Sequence, residues 1–216
     1  MKKSSFFLVS FLLVIWMLPV VCFGGEIFLN YSEESVSSGD LEEYRHSFET
    51  SFGKSKEDIR NPSEKLSGLL KSLEWLRDES DPEKILREIQ KIVNSLKYLP
   101  EAVDHWSTIG QTIDSGGGDC DEFAVAKAVL VEIFLPDAKI FLVQGFKSIS
   151  DDNHIVVIVR VEKEVFVLDN DRDELVIADD CDYLIPDLAI DVRSENFFIL
   201  SPEKQPASLL AEYEGK

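Results

Sequence analysis

The feature that most constrains this chain is residues 119–134. Phe123, Ala124, Val125, Ala126, Ala128, Val129, Leu130, Val131 and Ile133 make the run apolar on almost every side, and Pro136 stops it. A helix with no polar face is stable only when other elements wrap it, so the rest of the fold has to be built around this segment. Upstream, Asn61-Pro62-Ser63-Glu64 is a helix start, followed by Leu66, Leu69, Leu70, Leu73 and Leu76 at helical spacing. Asp81-Pro82 opens another helix, with Ile85, Ile89, Ile92, Val93 and Leu96 on one core-forming stripe. Residues 41–60 read as a weak helix interrupted at Gly53, and residues 98–118 as a loop ending in Gly116-Gly117-Gly118. Strand-like runs follow at 139–146, 154–161, 165–169, 175–178 and 196–200. Helices first and a meander of strands afterwards predict an α+β fold, with the buried helix packed on an antiparallel β-sheet.

The ends of the chain read differently. Met1-Lys2-Lys3 is basic, Phe6 to Val21 is almost entirely apolar, and Gly24-Gly25 precedes the first acid, Glu26. This is the order of a secretory signal peptide; the rival is an uncleaved membrane anchor, against which Pro19 and the glycine pair argue. The predicted division is therefore 1–24 signal peptide, 25–60 polar lead-in and weak helix, 61–200 folded domain, and 201–216 flexible tail. Export places the mature protein outside the cytoplasm. The 216 residues carry 41 acidic and 22 basic side chains, a net charge of −19. That balance argues against nucleic acid as a partner and against adhesion to an anionic membrane surface.

Chemistry concentrates at the mouth of the buried helix. Cys120 follows the glycine run, at a helix start whose dipole lowers a thiol pKa, while Asp119, Asp121 and Glu122 act in the opposite direction. The amide of Cys120 is suited to face a developing oxyanion. A nucleophilic thiol needs an imidazole, and of His46, His105 and His154 the last begins a strand. If the Glu162-Lys163 turn sets Val161 opposite Glu164, Val156 falls opposite Asp169. His154 and Asp169 are then diagonal neighbours on one face, within reach of each other. The remaining residues of that face, Val156, Ile158, Val165 and Val167, are apolar. Cysteine, histidine and carboxylate in this arrangement are the parts of a thiol-enzyme triad. Cys181, before Asp182-Tyr183, carries no such signal and reads as structural.

Three stretches, Gly-Gly-Gly-Asp-Cys-Asp-Glu-Phe-Ala at 116–124, Asn-His at 153–154 and Val-Leu-Asp-Asn at 167–170, resemble the bacterial transglutaminase-like cysteine peptidases, the LapG-type periplasmic proteases. The resemblance spans roughly residues 82–200. It implies a papain/transglutaminase-like fold, a periplasmic location, Cys120 as nucleophile, His154 as general base and acid, and Asp169 as orienting carboxylate. It also implies calcium bound by Asp119, Asp121 and Glu122, whose oxygens are suitable hard ligands. The implied substrate is an exported protein such as a large adhesin, a role in biofilm release, and the implied partner is an inner-membrane cyclic-di-GMP receptor. No organic cofactor is implied. Trp106-Ser107-Thr108-Ile109 stands where the family commonly has Trp-Ala-Thr-Pro. Trp106 is thus either a cleft wall, with its indole N–H toward the oxyanion, or a core residue. The acids have their own alternative, a solvated helix start. Two other functions stay open: acyl transfer to an amine at the same thioester, and a non-catalytic binding domain with a Cys120–Cys181 disulfide.

Overall fold

The computed structural model describes residues 31–36, 41–100, 105–150 and 152–202. The signal segment and the tail from 203 onward lie outside the described residues. Among those described, no helix is long and apolar enough to cross a membrane. The elements in chain order are β1 (Tyr31–Ser35), α1 (Glu42–Arg60), α2 (Glu64–Ser72), α3 (Pro82–Asn94), β2 (Lys97–Tyr98), α4 (Ile109–Ser115), β3 (Gly117–Gly118) and α5 (Cys120–Phe134). The strands β4 (Lys139–Lys147), β5 (Asn153–Val161), β6 (Glu164–Leu168), β7 (Val176–Ile177), β8 (Leu184–Asp191) and β9 (Phe197–Pro202) complete the fold.

This is the α+β architecture that the order of patterns predicts. Seven antiparallel strands form one sheet in the order β1-β9-β8-β4-β5-β6-β7, and β2 pairs with β3 in a small parallel ladder. Only β4 to β7 are a meander. The chain then crosses back so that β8 lines the other edge of β4. Helix α5 occupies the centre, touching α1, α3, α4, β4 and β5, and twelve of its fifteen residues are buried. The sheet carries apolar residues on both faces: Ile155, Val157 and Val159 join the helical core, while Val156 and Ile158 join Phe141, Val143 and Val167 in a second cluster.

Four segments differ from the sequence expectation. Residues 41–60 are one unbroken helix, because Gly53 meets nothing within 4 Å and costs only its own low propensity. Helix α1 belongs to the core: Phe48 and Phe52 are buried in the main cluster. Ser51, Ser55 and Asp58, at helical spacing on α1, hold the start of α4. Ser51 Oγ donates to the Ser107 carbonyl (2.6 Å), while Ser55 Oγ and Asp58 Oδ2 accept the amides of Ile109 (3.0 Å) and Gly110 (3.1 Å). Within the expected loop 98–118 sit β2, α4 and β3; α4 is short but closed by a capping box between Thr108 and Gln111. Strand β8 carries Pro186 and Asp187, which masked it, and it pairs with β4 through a register shift at Gln144/Gly145. The lead-in contributes β1, paired to β9 at the sheet edge.

Because α1 fills the core, Phe48→Ala is expected to destabilise the protein by about 3–5 kcal/mol in urea unfolding. A loss below about 1 kcal/mol would show that α1 is an accessory to the fold.

Candidate active site

The β5–β6 hairpin sets the first pair. Val161 lies opposite Glu164 and Val157 opposite Leu168, the register that the turn predicts, and the ladder ends there, one residue before Asp169. His154 and Asp169 are both buried, and His154 Nε2 lies 2.7 Å from Asp169 Oδ1. Burial raises the Asp169 pKa, but the hydrogen bond and charge of His154 outweigh it and the carboxyl is held below its ordinary value. The ionised carboxylate can only accept, so Nε2 carries the hydrogen and Nδ1 is left as the basic nitrogen. Opposite His154 on β4 is Gly145. A Cβ there would lie 2.3 Å from the Ile185 carbonyl oxygen, so the close approach of β8 beside His154 requires glycine.

Cys120 occupies the first turn of α5, and its sulfur accepts the backbone N–H of Ile155, the residue after His154. The nucleophile candidate therefore lies against the strand that carries the imidazole. Cys120 and Cys181 are both free thiols, which removes the disulfide on which the non-catalytic alternative rested. The glycine run before Cys120 is a packing device. Gly116 closes α4 with φ 80°, and a Cβ at Gly118 would lie 2.5 Å from Glu122 Cβ. Glu122 uses that proximity: Oε2 accepts the amide of Asp119 (2.8 Å) and Oε1 that of Ser107 (3.0 Å). Its carboxylate thus ties the start of α5 to the segment after Trp106.

Burial, reinforced by crowded acids, dominates the electrostatics. Burial first, then Asp121 and Asp119, push the Cys120 thiol up to about 11. Burial, a hydrogen bond that the protonated Asp121 donates to Asp119, and the charge of Glu122 push the Asp121 carboxyl up to about 10. The helix dipole is therefore outweighed, and the thiol is neutral unless positive charge arrives. Asp119 Oδ1 and Asp121 Oδ2 are buried without a hydrogen-bond partner, and ligand atoms of Asp119, Cys120 and Asp121 lie within 4.8 Å of one another. Two hard, unpartnered carboxylate oxygens fit a calcium ion. Glu122 stands beside them with both oxygens already engaged by amides.

Trp106 sits in an aromatic cluster, edge-on to Tyr44 (ring centroids 5.0 Å apart) and to Phe48 (6.4 Å), and is 8% exposed. This is the core placement of the two weighed for it. His105 Nδ1 is 3.4 Å from Ser107 Oγ, and His46 is an exposed residue of α1. Sequence reasoning missed three groups around the site. Tyr98 of β2 is exposed and lies opposite Gly118, two residues before Cys120. A cavity of about 170 Å³ opens beside Asp169, walled by Lys147, Ile149, Arg172 and Tyr183. Gln90 and Asn94 of α3 bond the segment that carries Asp169. Each was hidden among residues that look like ordinary surface or helix positions.

Comparison with known proteins identifies the family and the fold. Residues 73–187 match the family model described as bacterial transglutaminase-like cysteine proteinase. Among curated proteins none matches the chain. The fold matches calcium-bound Legionella pneumophila LapG at TM-score 0.55 and 21% identity, covering 73% of this chain and 92% of that one. It matches EGTA-treated L. pneumophila LapG at TM-score 0.55 and 17% identity, covering 70% and 90%.

Lys127 also lies within the site's reach, on α5 and 1% exposed. Burial pulls its pKa from 10.5 down to about 7, against the charges of Asp169 and Asp171. Between those two values the unfolded chain holds a proton that the folded protein lacks, so stability rises with pH across the window. We expect wild type to gain stability over Lys127→Met between about pH 7 and pH 10, by at most about 1.4 kcal/mol per pH unit. Chemical unfolding of both across the range checks this, and parallel profiles would contradict it.

Proposed function

The chain belongs to the bacterial transglutaminase-like cysteine proteinases, and from that premise we propose that Cys120, His154 and Asp169 are its catalytic triad. The observation that carries the assignment is the buried 2.7 Å bond from His154 to Asp169, on the strand against which the Cys120 sulfur rests. In this reading His154 Nδ1 takes the thiol proton as sulfur attacks a peptide carbonyl, and the Cys120 amide at the helix start faces the oxyanion. The same nitrogen then protonates the leaving amine as the C–N bond breaks and a thioester forms. Water, deprotonated by Nδ1, attacks the thioester and releases the acid and the thiol. Asp169 keeps the ring in the required tautomer and balances the imidazolium. The proteinase family supports water over an amine as the second acceptor, and thus hydrolysis over acyl transfer.

The proposal extends to metal, place and substrate. Asp119 and Asp121 would hold calcium, with Glu122 supporting them from its cap. Bound calcium would supply the positive charge that the crowded acids lack. Its removal of their repulsion would favour the thiolate of Cys120. The apolar leader at residues 6–21 supports export to the periplasm. There the family resemblance points to an exported surface protein, such as a large adhesin, as substrate and to an inner-membrane cyclic-di-GMP receptor as the sequestering partner.

Cys120→Ala and His154→Ala are each expected to lower cleavage of surface proteins by at least about 10³-fold with the thermal midpoint retained. Proteomics of proteins released by each strain reads the result, and substantial residual cleavage in either variant would refute the triad. Adding calcium to the metal-free protein is expected to raise its thermal midpoint, and Asp121→Asn to erase that rise. A midpoint indifferent to calcium would refute the metal assignment while leaving the triad standing.

A further inference from the structure

We infer that Gln90 and Asn94, one turn apart on α3, are positioning residues that hold Asp169 in register with His154. Gln90 Oε1 accepts the backbone N–H of Asp169 (2.9 Å), and its Nε2 donates to the carbonyls of Arg172 (3.1 Å) and Glu174 (2.7 Å). Asn94 Nδ2 donates to the carbonyls of Asp169 (2.9 Å) and Arg172 (2.8 Å). Both main-chain groups of Asp169 are therefore bonded to one helix. The carboxylate is fixed in turn, since Oδ1 accepts the amide of Asp171 (2.9 Å) as well as His154 Nε2. Asp169 needs this support because β6 ends at Leu168 and the next ladder starts only at Val176. The acid thus sits on the first residue of a connection with no sheet partner of its own.

The chemistry of position 90 points the same way. Gln90 is 1% exposed and shares its helix with the buried Ile85, Leu86, Ile89 and Val93. An aliphatic side chain there would avoid burying an amide, whose polar atoms must all find partners in the interior. Gln90 finds all of its partners in the segment 169–174. The helix that reads as a plain core element from its isoleucines therefore also fixes the geometry of a reacting pair. A displacement near 1 Å at such a pair costs roughly 10²-fold in rate.

The inference rests on the triad reading, and its test separates the two. Gln90→Met keeps length and volume but loses the amide, and Asn94→Leu does the same at a half-buried, more tolerant position. Leu86→Ala, a fully buried residue of the same helix, serves as the stability control. For each, kcat and KM are measured on a cleavable protein substrate. The downfield proton resonance of His154 Nε2–H, identified by its loss in His154→Ala, is recorded alongside. We expect Gln90→Met and Asn94→Leu to lower kcat about 10- to 100-fold with KM little changed, and to shift or lose the resonance. Leu86→Ala is expected to lower the thermal midpoint and leave the resonance in place. An unmoved resonance in both amide variants, or an equal shift in Leu86→Ala, would overturn the inference even if the enzyme is active. A resonance shift confined to the amide variants would uphold it even if no peptidase activity were found.

Discussion

The burial of α5 is the constraint from which the rest of this structure follows. A helix with apolar residues on every side has to be enclosed, and α1, α3, α4, β4 and β5 enclose it. Enclosure fixes the axis and so fixes where the first turn ends, with Cys120 against the amide of Ile155. A reactive side chain at that point inherits the rigidity of the whole core. The surrounding contacts are specific: Glu122 caps α5 and holds the segment after Trp106, while α1 receives the start of α4 through Ser51, Ser55 and Asp58. Cys120 lies on α5, the strand of His154 packs against α5, and the segment of Asp169 is bonded to α3.

Rigidity alone does not make a thiol nucleophilic. The helix dipole favours the thiolate, but burial and two neighbouring carboxylates oppose it and prevail, leaving the sulfur protonated near neutral pH. Two cationic sources can reverse the balance. One is the imidazole of His154, which would take up the thiol proton in the proposed reaction while Asp169 holds the ring through Nε2. The other is a cation at Asp119 and Asp121, where two oxygens are buried without partners. A thiol that stays neutral until a cation arrives would place the proposed proteolysis under metal control, with the two orphaned oxygens as the metal's seat.

Much of this was legible in the chain. The largely apolar run 119–134 identified the central helix within one residue, and the Glu162-Lys163 turn gave the register that brings His154 to Asp169. Such features are local: period, cap and turn length determine them. What could not be read depends on partners distant in sequence. Helix α4 was lost because seven residues carry too little periodicity, although Thr108 and Gln111 spell its cap. Strand β8 was lost because Pro186 argues against a strand, and only the bulge beside Gly145 makes room for it. Gln90 follows Ile89 of the core stripe and carries no local signal, because its partner Asp169 lies 79 residues away.

The most direct test is the rate at which Cys120 is alkylated, followed by intact mass and peptide mapping with Cys181 as the internal reference. Iodoacetamide is offered to calcium-loaded wild type and to His154→Ala. The account predicts that Cys120 reacts much faster than Cys181 in wild type and falls to the rate of Cys181 without the imidazole. Equal reactivity of the two thiols in wild type, or a Cys120 rate unchanged by the loss of His154, would contradict it.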